Sequence, residues 1–164
     1  MKKLNEAIAE LNLREFSENG ISIRPICDDY DLWYVVVECK LAPGQEEFVN
    51  PAGFTIGRAY LNPGDNVPCI IWKDGQRIGY MVLRMWHDGT GTSWSYYLDR
   101  RQQGMGYGIS AAKSAVRILK GAVPDLPVKL AVEKCNDKAR RLYASLGFRR
   151  TDEMDGDDLI FVLE

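Results

Sequence analysis

The sequence predicts a mixed α/β domain, and three features of the chain predict it. Apolar residues recur at helical spacing through much of the first sixty positions, then give way to the short apolar runs of strands. A glycine-rich turn, Gln103-Gly104-Met105-Gly106-Tyr107-Gly108, joins one such strand to a further helical stretch. No linker, low-complexity segment or internal repeat interrupts the chain, and 164 residues suffice to bury a core without disulfides or metals. Residues 1–164 therefore read as one domain, with 1–19 as an N-terminal helical extension.

Leu4, Ile8 and Leu11 lie at helical spacing and Asn19-Gly20 ends that segment. Ile21, Ile23 and Pro25-Ile26 predict a short strand. Asp28 or Asp29 caps a helix whose apolar face is Leu32, Val35, Val36 and Cys39, and Pro43-Gly44 stops it. A second helical stretch, Gln45 to Tyr60, is expected to break at Pro51 and Gly53, and Asn62-Pro63-Gly64-Asp65 is a turn. Strands then follow at Val67–Trp72 and Arg77–Met85 around the tight turn Asp74-Gly75, with a third ending Trp94-Ser95-Tyr96-Tyr97-Leu98. Ile109, Ala112, Val116 and Leu119 define a helix, and Val128–Val132 a strand. Ala139, Leu142, Tyr143 and Leu146 line a last helix, capped by Asn136 or Asp137 and ended by Gly147. Phe148 to Leu163 reads as a hairpin turning at Asp155-Gly156-Asp157.

Composition narrows the function. With 21 Lys and Arg against 23 Asp and Glu, the chain has no overall electrostatic footprint for nucleic acid. Cys27, Cys39, Cys69 and Cys135 are dispersed without a C-x-x-C pair, which argues against a metal site and for buried free thiols. The start, Met1-Lys2-Lys3-Leu4, lacks the apolar core of a secretion signal, and no run reaches membrane-spanning length. A cytoplasmic protein without membrane or nucleic-acid partners is the expectation.

The glycine-rich turn carries the chemistry. Glycines between a strand and a helix let the backbone take positive φ and approach an anion. The unpaired N–H groups at the helix start then favour phosphate, and Arg100 and Arg101 stand just upstream. A dinucleotide fold requires an acidic residue about twenty positions on, at the end of the next strand; here Gly121 to Leu126 is a loop before a strand. No Gly-Lys-Ser/Thr follows, so a P-loop is excluded. Phosphate binding and a purely structural turn both remain compatible with these residues.

Two segments together resemble the GNAT superfamily of acetyltransferases. Gln103 to Gly108 fits that family's Q/R-x-x-G-x-G/A turn, and Asn136 to Phe148 fits its N-x-x-A-x-x-L-Y-x-x-x-G-F helix. The resemblance implies a central, mostly antiparallel sheet splayed between two central strands and flanked by helices. It implies acetyl-CoA as cofactor, with Tyr96, Tyr97 and Leu98 pairing their backbone with the pantetheine arm. Backbone N–H groups of Gly104, Met105, Gly106, Tyr107, Gly108 and Ile109 are implied to hold the pyrophosphate, with Gln103 also among the cofactor-binding residues. Asn136 is implied to hydrogen-bond the pantetheine or acetyl end, and Tyr143 to protonate the departing thiolate. Where some members carry a glutamate base, this chain has Ala131, so the base is open between ordered water and Glu38, Glu46 or Glu47.

Each assignment has a plainer rival. Tyr143 lies on the apolar stripe of its helix, Asn136 is a good N-cap whatever its function, and one of Tyr96 and Tyr97 belongs to the core. His87, in a polar loop beside Asp88, reads as non-catalytic. On the acceptor side, Gln45-Glu46-Glu47-Phe48-Val49 and Ala59-Tyr60 are similar to spermidine/spermine-type acetyltransferases. Glu38, Glu46 and Glu47 suit a polyamine slot, or equally a solvated face. The expected function is acetyl transfer to a small primary amine, with a protein or peptide acceptor and a non-catalytic acyl-CoA-binding domain as alternatives. A homodimer is compatible with the terminal hairpin.

Overall fold

A computed structural model describes residues 2–164, so Met1 lies outside the described residues. Helix α1 (Leu4–Ala9) buries Leu4 and Ile8, and a 3-10 turn at Leu13–Phe16 leads to strand β1 (Ile21–Pro25). Helix α2 (Asp29–Trp33) starts at Asp28, whose carboxylate accepts the Asp31 N–H at 2.8 Å.

The apolar face expected of this helix is corrected by its geometry. A π-helical turn, Tyr34–Glu38, closes with the Cys39 N–H donating to the Tyr34 carbonyl at 2.8 Å. The wider turn rotates the inward stripe. Tyr34, Val35 and Cys39 are buried, while Leu32 and Val36 are exposed. The next stretch also differs from expectation: Gln45–Glu47 is one 3-10 turn, and α3 (Ala52–Leu61) starts after Pro51 with Gly53 inside its first turn.

Strands β2 (Asn66–Lys73), β3 (Gln76–Met85) and β4 (Thr92–Leu98) form a meander. Asp74 and Gly75 both take positive φ (48° and 80°), the conformation a two-residue hairpin requires. Helix α4 (Tyr107–Ala122), β5 (Val128–Val132) and α5 (Asp137–Ser145) follow. The chain ends in the hairpin of β6 (Arg149–Asp155) and β7 (Asp158–Leu163).

The seven strands lie in the order β1-β2-β3-β4-β5-β7-β6, antiparallel except at β4–β5. One face carries α1, α4 and α5 over Ile21, Ile23, Cys69, Met81, Leu83 and Trp94. The other carries the π-turn and α3 over Ile70, Tyr80 and Val82. Tyr96 packs with the first face and Tyr97 with the second, as strand alternation requires. Burying all four thiols was the wrong expectation: Cys39 and Cys69 are buried, but Cys27 and Cys135 sit at chain turns and are exposed. No helix among the described residues is long and apolar enough to cross a membrane.

The feature that shapes the site is the join between β4 and β5. They share one register pair, Thr92 with Val128, and the Thr92 N–H donates to the Pro127 carbonyl at 2.8 Å. Beyond that rung the facing edges are not paired with each other, so the sheet opens toward the carboxyl ends of both strands.

Candidate active site

Both helix starts converge on this opening, because each helix follows directly from one of the two parting strands. The turn before α4 takes its shape from Gly104 (φ 78°) and Gly106 (φ 81°), left-handed conformations that favour glycine. A Cβ on either would meet nothing within 4 Å, so the turn is open in front of its backbone. Gly108 lies closer in, with the Tyr96 hydroxyl donating to its carbonyl at 3.1 Å. The first N–H groups of the 16-residue α4 therefore face an accessible surface rimmed by the exposed Met105 and Ile109.

Gln103 has a different role from its neighbours. Its side chain turns to Gln45: each amide donates to the other, at 2.8 and 3.0 Å, and Gln103 Nε2 also donates to the Leu98 carbonyl at 3.0 Å. Arg101 forks the buried Asp99, at 2.8 and 3.0 Å, so much of its charge is already matched. Burial pushes the Asp99 carboxyl up, but the Arg101 fork and the Lys40 N–H outweigh it and hold it below the usual range. Arg100 remains exposed.

At the β5 side of the opening, Asn136 caps α5, its Oδ1 accepting the Ala139 N–H at 3.1 Å. The inner face of α5 presents Ala139, Tyr143 and Leu146 to the first core. Tyr143 sets its ring edge-on to Trp94, centroids 6.0 Å apart, and 5.9 Å from Phe148. Burial pushes its phenol up to about 12 and raises that of Tyr96, to which Tyr143 adds. The rival reading of Tyr143 as core is thus true of its ring and leaves the role of the hydroxyl to be assigned.

The predicted acceptor acids are exposed, and none of Glu38, Glu46 and Glu47 makes a side-chain bond among the described residues. Glu46 and Glu47 follow Gln45, and so stand by the glycine turn rather than by Tyr143. Along β4, Leu98 and Trp94 are about 13 Å apart at strand rise. Other acids gather on the β5–β7 side: burial, then Glu133, Asp155 and Asp157, raise the Asp158 carboxyl. Sequence inspection read Asp155 and Asp157 only as a turn and missed the group, because Glu133 lies 25 positions before Asp158 and meets it through the β5–β7 pairing. On the same side of the sheet as α3, burial and then Arg58 lower the Arg84 guanidinium. His87 stacks by Trp86, with Nε2 3.9 Å from Asp155 rather than joined to Asp88, which closes its own turn through Thr90.

Cys27, Asp28 and Asp31 bring three donor atoms within 4.8 Å of one another. Both carboxylates are committed elsewhere, Asp28 to the α2 cap and Asp31 to Arg77 at 2.8 Å and to Cys27. A cavity of about 550 Å³ lies between the 3-10 turn and β1 along Leu11, Leu13, Arg14 and Arg24, away from the opening between the strands.

Comparison with known proteins accords with this geometry. A sequence profile described as the acetyltransferase (GNAT) family matches residues 30–148. Curated protein sequences give no match. Among solved structures, aminoglycoside acetyltransferase AAC(6')-Ib with coenzyme A superposes with a TM-score of 0.66 at 18% identity, over 87% of this chain and 94% of that one. A Vibrio cholerae protein assigned as a ribosomal-protein-serine acetyltransferase gives 0.66 at 15% identity, over 90% and 95%. The GNAT domain of S. lividans PAT gives 0.67 at 12% identity, over 87% and 89%. These similarities concern the fold.

Proposed function

We infer the function of this chain from its family, because it belongs to the acetyltransferase (GNAT) family and is an N-acetyltransferase that uses acetyl-CoA. The observation that carries the reading is the opening between β4 and β5, with two helix N-termini and the Tyr143 side chain gathered around it. Strand edges without a partner suit an extended amide-bearing arm, and a positive-φ glycine turn at a helix start suits a pyrophosphate.

In the proposed arrangement the backbone of Tyr96, Tyr97 and Leu98 pairs with the pantetheine. The N–H groups from Gly104 through Met105, Gly106, Tyr107 and Gly108 to Ile109 hold the pyrophosphate. Gln103 acts by shaping the turn. Asn136 uses Oδ1 for its cap, so Nδ2 is its donor toward the arm. The bound cofactor supplies an acetyl group activated as a thioester. Holding the acceptor amine against it contributes by proximity, and the protein need form no covalent bond. Tyr143, protonated throughout the physiological range, donates its phenolic proton to the leaving sulfur. Since Ala131 offers no base, the amine proton leaves through water toward the acids of the β5–β7 side. Glu133 is two residues beyond Ala131, just past the end of β5.

The acceptor is a small polycationic primary amine, a polyamine such as spermidine or spermine. Supporting it are the acids, Glu38 at the end of the π-turn, Glu46 and Glu47 by the glycine turn and Glu133, Asp155, Asp157 and Asp158 by the hairpin, together with the weak N-terminal similarity. A second reading, acetylation of a protein N-terminus or lysine, is favoured by the similarity to the Vibrio cholerae structure. A cytoplasmic location and a homodimer accompany the first reading. Steady-state assays with acetyl-CoA over spermidine, spermine, an aminoglycoside and an N-terminal peptide decide between them. Robust turnover of the peptide without turnover of any polyamine sinks the polyamine reading. Binding of acetyl-CoA with no acceptor turned over favours a non-catalytic acyl-CoA-binding domain.

A further inference from the structure

The segment that bridges the π-turn and α3 is stitched to the cofactor turn, and its last stitch is the Gln45–Gln103 amide pair. The Lys40 N–H donates to Asp99 Oδ2 at 3.2 Å and the Arg100 N–H to the Lys40 carbonyl at 2.7 Å. Gln45 Oε1 then accepts from both the Ala42 N–H, at 3.1 Å, and Gln103 Nε2, while Gln45 Nε2 returns a bond to Gln103 Oε1. From Glu46 to Asn50 no further side-chain bond to the rest of the chain is present among the described residues. Gln103, in turn, is the residue from which the backbone enters the two left-handed glycines. The pair is self-complementary and neutral, so it adds no charge beside an anion-binding turn.

We propose that Gln45 is a positioning residue that, through Gln103, couples occupancy of the glycine turn by acetyl-CoA to the ordering of residues 40–50, the segment that lies beside that turn. This rests on the assignment of the turn to the pyrophosphate. Fixing Gly104 and Gly106 around phosphate fixes the Gln103 side chain, which holds Gln45 and the segment behind it.

Hydrogen exchange of the intact chain, with and without saturating acetyl-CoA, tests this without knowing the acceptor. In the unaltered protein both 103–109 and 40–50 gain protection, exchange in the latter slowing by roughly tenfold as expected of a coupling of 1–3 kcal/mol. Gln45→Ala keeps the gain at 103–109 and loses it at 40–50. Gln45→Glu, which sets a carboxylate against Gln103 Oε1, loses it as well, and the double variant Q45E/Q103R regains it by pairing opposite charges. Protection at 40–50 that survives Gln45→Ala overturns the proposal, as does a Q45E/Q103R protein that behaves like Q45E. Failure of acetyl-CoA to protect 103–109 in the unaltered protein overturns instead the assignment of the turn.

Discussion

Thr92 of β4 and Val128 of β5 face one another across the single rung that joins the two halves of the sheet among the described residues. Everything the site needs follows from the strands parting just beyond it. The rung is kept short by Gly91, where a Cβ would sit 2.9 Å from the Pro127 carbonyl oxygen and 3.1 Å from the Lys129 side chain. Gly91→Val therefore pushes the start of β4 away from β5. A loss of about 1–3 kcal/mol of stability is expected, as for other overpacked positions. Acetyl-CoA affinity should fall with it, because the parted edges no longer meet the arm at the same separation. Chemical denaturation and calorimetric titration of the same variant check both, and a stable Gly91→Val protein with full affinity refutes the role given to the rung.

Tyr143→Phe keeps the ring that packs edge-on to Trp94 and Phe148 and removes the hydroxyl alone. A packing role predicts little change in any quantity. The proposed proton-donor role predicts a kcat lower by about a hundredfold, the low end of what a positioned acid contributes, with the acetyl-CoA Kd nearly constant. Single-turnover rates beside equilibrium binding separate the two.

The fold was legible in the sequence because its elements are punctuated by strong local signals. Asp74-Gly75, Pro127, Gly147 and Asp155-Gly156-Asp157 each fall at an element boundary, and Val128–Val132 emerges with the predicted limits. The glycine turn and the α5 start were legible as local structure for the same reason, since each is continuous in sequence. The acceptor side was not. The π-turn after Trp33 shifts the helical phase by a bond pattern that no side-chain spacing announces, so Leu32 and Val36 were assigned inward and lie outward. The Gln45–Gln103 pair spans 58 positions, and the acids around Asp158 come together only through strand pairing.

The pH dependence of turnover should have one limb across the accessible range. Burial raises the Tyr143 phenol from its usual 10.0 to about 12, so the proton that its proposed role requires stays in place from neutral pH to well above 10. The acceptor amine, by contrast, attacks only when neutral, and its neutral fraction grows with pH. The expected kcat/KM rises from pH 6 and levels near the amine's own pKa, without a fall before about pH 10. A descending limb centred near pH 8 or 9 with a stable protein sinks the assignment of Tyr143.

Stability should fail on the alkaline side in a way that is traceable to single groups. Burial raises the Tyr80 phenol from 10.0 to about 12 and the Cys39 thiol from 9.0 to about 11. Burial likewise raises Tyr34, Tyr96, Tyr97 and Cys69. Each of these groups holds its proton more tightly folded than unfolded, so its contribution is complete below the ordinary value and is lost as pH climbs through the folded one. The Tm is therefore expected to be level up to about pH 9 and to fall steadily between about pH 9 and 12. Tyr80→Phe gives up the 2.7 Å bond to the Thr55 hydroxyl and so starts lower, by about 1 kcal/mol at neutral pH. It also removes one titrating group from the core, and its Tm must then decline less steeply than that of the unaltered protein. Thermal scans of both proteins at half-unit steps from pH 7 to about pH 11.5 measure the two slopes across that window. Parallel slopes show that the buried phenol does not titrate with unfolding and refute its share in the alkaline limit.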